Sequence, residues 1–339
     1  MKKLLIFILF VLTVSAAFGQ DEDSGKISGY IFGDYYYFIE NNNPKLKDMN
    51  GFQLRRVYLT YDHSYDKEFS MRLRLEMNTP DGFSNNAGTS IPFIKDAYLK
   101  YKTGKTQFIL GISTTPTWEV VEKIWGYRSV EKTPLDLQKF GSSRDFGLAV
   151  KGELGENGII KYHAMLANGN SNKSEFNSGK KVLLSVGVYP IKNIIFEVYG
   201  DYNRLGVDKD IYTLQGFAAY KTDDFRLGLH FAQQTRQTGA DDLKLEIGSI
   251  FSAVKVFSNI NLFARLDRTF DPNTSGEKIS YLPFNKTAKS TFVVVGLDYS
   301  PIKNVFLMPN IEFIKYDENE TGVTPKSDVV PRFTFYYTF

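Results

Sequence analysis

The segment Glu68-Phe-Ser-Met-Arg-Leu-Arg-Leu-Glu-Met77 sets Phe69, Met71, Leu73, Leu75 and Met77 at every second position, with Ser70, Arg72, Arg74 and Glu76 between them. Successive side chains of a strand point to opposite faces, so this order makes a ribbon with one apolar and one polar side. A helix cannot use it, because a period of 3.6 spreads both sets around the axis. Ten residues also match a tilted strand crossing a bilayer, which takes about 9–11. The pattern recurs through the chain as sixteen segments: 26–40, 52–64, 67–78, 92–102, 105–113, 144–154, 158–168, 180–189, 193–203, 210–221, 224–235, 241–256, 259–270, 288–299, 303–316 and 330–339. Short helices are expected only within 115–140.

The connections carry as much information as the segments. Seven are tight: Tyr65-Asp66, Thr103-Gly104, Gly155 to Asn157, Pro190 to Lys192, Thr222-Asp223, Phe257-Ser258 and Ser300 to Ile302. They are rich in Gly, Pro, Asn, Asp and Ser, which set turn dihedrals or bond their own backbone. Eight longer connections, among them 79–91, 169–179 and 271–287, alternate strictly with them. An even number of strands with short turns at one end and long loops at the other is the plan of a bacterial outer-membrane barrel. Both chain ends then fall on the tight-turn side, the periplasm.

Lipid offers no partner to a backbone N–H or C=O, so a sheet that spans a membrane must close on itself. A soluble sandwich or propeller also alternates, but the polar faces here are too charged for a dry core, and no four-strand blade repeats. The last segment, Pro331-Arg-Phe-Thr-Phe-Tyr-Tyr-Thr-Phe339, puts Phe333, Phe335, Tyr337 and Phe339 on one side. A final strand that ends in Phe after alternating aromatics is similar to the signal read by the outer-membrane assembly machinery. The start, MKKLLIFILFVLTVSAAFGQ, has two lysines, an apolar run from Leu4 to Val14 and small residues at Ala17 and Gly19. That order predicts a signal peptide over residues 1–19, cut before Gln20.

Composition closes off other classes. With 41 basic and 38 acidic side chains the chain is near neutral, which removes the electrostatic case for nucleic acid as a partner. No cysteine means no disulfide framework and no thiolate metal site. No cofactor or metal is called, and Asp241-Asp242 and Asp317-Glu-Asn-Glu320 read as exposed loop charge. Tyr35-Tyr36-Tyr37-Phe38 reads as part of an interfacial aromatic girdle. His163 and His230 fall on polar faces as hydrogen-bonding groups, and His63 lies beside a tight turn, so no catalytic residue is assigned.

The longest connection runs from about Thr114 to Ser143 and holds both tryptophans, Trp118 and Trp125. Loops of this length without a role are uncommon. Five segments in and around it carry a resemblance: Asp96-Ala-Tyr-Leu-Lys-Tyr101, Leu110-Gly111, Pro116 with Glu119, Trp125-Gly-Tyr-Arg-Ser-Val-Glu-Lys-Thr133 and Ser143-Arg-Asp-Phe-Gly147. Together they resemble the phosphate-selective porin O/P type family, in its Bacteroidetes-style form. The resemblance implies a porin in which this third long loop folds into the lumen and narrows it. It also implies an arginine ladder along the pore wall.

Faces assigned by alternation test that ladder. The basic lumen candidates are Arg56, Arg72, Arg74, Lys100, Lys151, Lys161, Lys181, Lys221, Arg226, Lys244, Arg265 and Arg332. The acids are Glu76, Asp96, Glu153, Glu197, Asp201, Glu246, Asp267, Asp298 and Glu312. A mixed wall selects weakly by charge, whereas a ring of one sign selects strongly. The expectation is therefore an all-β protein, a 16-stranded antiparallel transmembrane β-barrel with an inward-folded third loop over about 114–143. It would pass small hydrophilic solutes or ions with weak selectivity in the Gram-negative outer membrane. Arg56, Arg72, Arg74, Glu76, Asp96 and Lys100 are the expected pore-lining residues. Trp118, Glu119, Glu122, Lys123, Arg128, Glu131 and Lys132 are the expected constriction residues. Outer-membrane lipid is the expected surrounding, and a homotrimer follows from the resemblance alone. The alternatives are an anion- or phosphate-selective channel, and a plugged structural or enzymatic barrel.

Overall fold

The computed structural model describes residues 24–79, 90–175 and 177–339. The segment expected to be a signal peptide, and most of the 79–91 loop, lie outside the described residues. Among the described residues sixteen strands form one closed antiparallel barrel, each hydrogen-bonded to its neighbours in sequence and the first to the last. They are β1 (Ser24–Tyr37), β2 (Asn50–Ser64), β3 (Phe69–Met77), β4 (Phe93–Thr103), β5 (Thr106–Thr114), β6 (Arg144–Leu154), β7 (Ile160–Ala167) and β8 (Lys181–Val188). The ring continues with β9 (Ile194–Asn203), β10 (Ile211–Lys221), β11 (Phe225–Arg236), β12 (Leu243–Phe257), β13 (Ile260–Thr269), β14 (Ser290–Ile302), β15 (Val305–Tyr316) and β16 (Asp328–Thr338). Each expected segment corresponds to one strand. The register Tyr30↔Thr338 through Tyr36↔Arg332 closes the ring. At the seam Gly29 and Phe339 exchange both backbone hydrogen bonds, at 2.9 and 3.0 Å.

The outer face is a continuous apolar belt. Leu110, Val198 and Leu214 are each 60% or more exposed, and Leu229 and Phe231 about half. Soluble surfaces rarely expose contiguous apolar patches of this extent, whereas hydrocarbon covers them without a penalty. Aromatic pairs border the belt at both rims: Tyr35 with Phe52 at the loop end, and His63 with Tyr65 and Phe69 with Tyr101 at the turn end. The Tyr35–Phe38 run does not act as one girdle. Tyr35 faces out, while Tyr36 and Phe38 turn inward and are buried.

The interior differs from one side to the other. Phe217, Phe251, Phe263, Phe292, Val294 and Ile314 point inward from β10 to β15 and build an apolar core with Val121, Ile124 and Trp125 of the long connection. That apolar half was not anticipated from the charged faces. It explains why the face assignment of Lys244 and Glu246 must be corrected. Leu245 and Ile247 are buried inside against Trp118, Leu135 and Phe140, so Lys244 and Glu246 alternate to the outside. Once a loop supplies apolar contacts within the lumen, burial favours the apolar face there and the strand takes that phase. β1 to β6 instead keep a polar inner wall, and the site lies there.

Candidate functional site

Two β-bulges shape the wall. Between β1 and β2 the register steps from Phe32↔Arg56 to Gly33↔Leu54, leaving Arg55 as the extra residue. Between β3 and β4 it steps from Arg74↔Asp96 to Leu75↔Ile94, leaving Lys95. A bulge sets two residues against one and re-aims the extra side chain. Arg55 and Arg56 consequently both point inward, and so does Lys95.

Residues 114–143 pack against the interior faces of the opposite strands. Helix α1 (Glu119–Trp125) is pinned at its start by Glu119, whose carboxylate accepts hydrogen bonds from Lys151 Nζ at 2.8 Å and lies 2.9 Å from His163 Nδ1. Burial pushes the Glu119 carboxyl up, but His163 and Lys151 outweigh it and hold the group down at about 2. Helix α1 ends at Gly126, whose φ of 71° is cheap only without a Cβ, and its N–H caps Glu122 O. The Trp125 indole is fully buried, donates to Glu131 O at 3.0 Å and meets Phe251 edge-on at 5.3 Å. Arg265 Nη1 donates to Lys132 O at 2.5 Å, and Gln234 Nε2 to Phe140 O at 2.5 Å. A second short helix, α2 (Pro134–Leu137), buries Leu135 and Leu137.

Between this connection and the β1–β6 wall lies a cavity of about 300 Å³. The wall contributes Tyr30, Phe32, Arg55, Arg56, Tyr58, Arg74, Lys95 and Arg144; the connection contributes Glu122, Arg128, Lys132 and Asp136. Seven cations thus meet two carboxylates at its surface. The remaining acids stand behind them. Glu76 accepts from Arg56 Nε at 3.0 Å and Tyr58 OH at 3.1 Å, and lies 2.8 Å from Lys95 Nζ. Asp96 pairs with Arg74 at 3.1 Å and with Arg144. Side-chain exposure is 15% for Arg56 and 16% for Arg74, against 3% for Glu76 and 1% for Asp96, so the cations take the front. Arg55 pairs with Glu131 at 3.1 Å and Asp34 at 3.4 Å, with no exposure on any of the three. With Glu76, Asp96, Asp34, Glu131 and Glu312 added to Glu122 and Asp136, and Arg332 added to the cations, eight cations face seven carboxylates among the described residues, a surplus of one.

The expected residues therefore separate. Arg56, Arg74, Glu122, Arg128 and Lys132 line the cavity. Glu76 and Asp96 are buried beneath its cations. Arg72 lies nearer the turn end, where it forms a two-point ion pair with Asp62 at 2.7 and 2.9 Å, and Lys100 is half-exposed on the same face of β4. Glu119 and Lys123 border a second cavity of about 660 Å³ at the turn end, with Lys102, Lys151, Lys161 and Lys221. Trp118 and Glu131 are buried and touch neither opening. Arg55, Lys95, Arg144 and Tyr281 were missed. The two bulges had a signal: apolar outward residues step by three from Leu54 to Val57 and from Ile94 to Ala97, where strict alternation steps by two. Nothing in the local pattern points to Tyr281.

A closed antiparallel barrel of sixteen strands, apolar outside and with a charged cavity inside, defines the porin class of fold. Comparison with solved structures agrees. The anion-selective porin from Comamonas acidovorans superposes with a TM-score of 0.69 over 94% of this chain and 100% of that one, at 12% identity. Salmonella typhi OmpF, in complex with daunomycin, gives 0.67 over 95% and 99%, at 13% identity. The outer membrane channel DcaP of Acinetobacter baumannii gives 0.65 over 95% and 99%, at 14% identity. No family model matches the chain, and no curated protein matches it.

Proposed function

We propose that the protein is an outer-membrane porin that lets small hydrophilic solutes and ions diffuse down their gradients. The observation that carries this reading is the charged cavity enclosed between the β1–β6 wall and residues 114–143, inside a barrel whose outside suits lipid. In this reading residues 114–143 are the constriction, the tight turns face the periplasm, and the chain arrives by a cleaved signal and the assembly machinery. Nothing in the cycle requires a cofactor or a covalent step. A homotrimer accords with one structural neighbour, OmpT of Vibrio cholerae, whose solved structure is of a trimer form.

The paired charges favour weak selectivity, because a cation backed by its own carboxylate contributes little net field. A lean toward anions is the second reading, favoured by cations standing in front of their acids. The likeness to the phosphate-selective porin O/P type family belongs to this second reading. Deleting residues 117–138 tests the constriction: conductance in a planar bilayer rises if the segment narrows the pore. Unchanged conductance would remove the constriction assignment. A barrel closed before the deletion and open only after it would mean a structural plug.

A further inference from the structure

Residues 271–287 join β13 to β14 and fold inward. Ile279, Leu282 and Phe284 are buried in the same interior core as Phe292, Ile314 and Val330. These anchors bring Tyr281 to the 300 Å³ cavity, opposite the wall arginines and beside Lys132. Tyr281 has φ of 72°, in the left-handed region where a bulky side chain is strained by about 1–2 kcal/mol. Such strain persists only where the surroundings fix it, and it concentrates at functional positions. Three elements fix it here. Arg332 Nη2 donates to Tyr281 O at 2.5 Å, and Tyr281 OH donates to Arg55 O at 3.1 Å. The guanidinium of Arg55 sits 4.6 Å from the ring centroid, and Lys132 Nζ 5.8 Å from it.

We propose that Tyr281 is a second jaw of the constriction, a residue that sets the size and charge preference of the solutes that pass. The inference rests on the diffusion reading above. The ring occupies space in the cavity and lies against two cations, Arg55 and Lys132, where its π face offsets their mutual repulsion. It thereby holds Lys132 toward the opening while Arg55 stays buried behind the ring, and a small anion passes along the ring edge while a bulky neutral solute is stopped by it. The long connection is one side of the opening, and residues 280 and 281 are another.

The test is single-channel conductance, reversal potential and polymer exclusion on the refolded full-length mature chain. Tyr281→Gly suits the positive φ and removes the ring; Tyr281→Phe keeps the ring and loses only the bond to Arg55 O. Tyr281→Asn, which also tolerates this φ, serves if the glycine variant does not refold. The glycine or asparagine variant is expected to conduct more by about twofold, to admit larger poly(ethylene glycol) and to lose anion preference. Tyr281→Phe is expected to behave as wild type. Wild-type conductance, cutoff and reversal potential in the glycine and asparagine variants would overturn the second jaw while leaving the porin reading intact. No current from the wild-type chain overturns the porin reading, and this inference with it.

Discussion

Lys132 shows how a single side chain can carry a pH response. Burial pulls its ammonium down, Asp136 and Glu131 push it up, Arg128 and Arg55 pull it down again, and it comes to rest at about 8 against an ordinary 10.5. The amine is charged below pH 8 and neutral above. Anion preference is therefore expected to weaken as pH rises from about 7 to about 9, and Lys132→Gln to flatten that profile at its alkaline level. A reversal potential that does not move with pH in the wild-type chain would remove this role. Because folding holds the pKa below its unfolded value, the same group makes the fold more stable as pH climbs from about 8 toward 10.5. Glu131 works in the opposite direction. Arg55 and Lys132 overcome its burial and keep it ionised, so its contribution is present at neutral pH and lost in strong acid.

Among the elements, what the sequence made legible was the strands, and what it hid was how the connections use the interior. Alternation located every strand within a few residues, because an apolar outer face and a largely polar inner one make a slip in phase costly. The long connection was legible from its length and its two tryptophans, but the burial of Trp118 and Glu131 was not. A carboxylate with a distant arginine as its partner looks, in sequence, like any solvated charge. The bulge residues Arg55 and Lys95 were readable from the three-residue step, whereas Tyr281 depends on contacts with residues far away in the chain. The Arg55–Glu131 pair joins β2 to the long connection, and breaking a buried pair from one side leaves a charge without compensation. Arg55→Ala is expected to destabilise the refolded barrel by about 3–5 kcal/mol, read from its urea midpoint, with Arg55→Ala/Glu131→Gln recovering part of the loss. A double-variant loss equal to the sum of the separate Arg55→Ala and Glu131→Gln losses would mean that the two charges are not coupled.

At the scale of the molecule, the barrel is a closed ring around two interiors. One, from β10 to β15, holds an apolar core beside buried polar groups such as His230, Arg265 and Asp267; the other, from β1 to β6, is a polar wall. A surplus of one positive charge at the cavity predicts a measurable but small selectivity. In a KCl gradient the reversal potential is expected to lie on the anion side of zero, by far less than for an ideal anion channel, and to shrink toward zero at high salt as charges are screened. A potential near the ideal anion limit would instead establish strong selection. The apolar core has a further consequence, because it touches the ring from within at several strands. Its residues reach Phe217 on β10, Phe251 on β12, Phe263 on β13 and Ile314 on β15, and they tie these strands to one interior cluster. The folded connections therefore brace the barrel from the centre, beside the pairing around the rim.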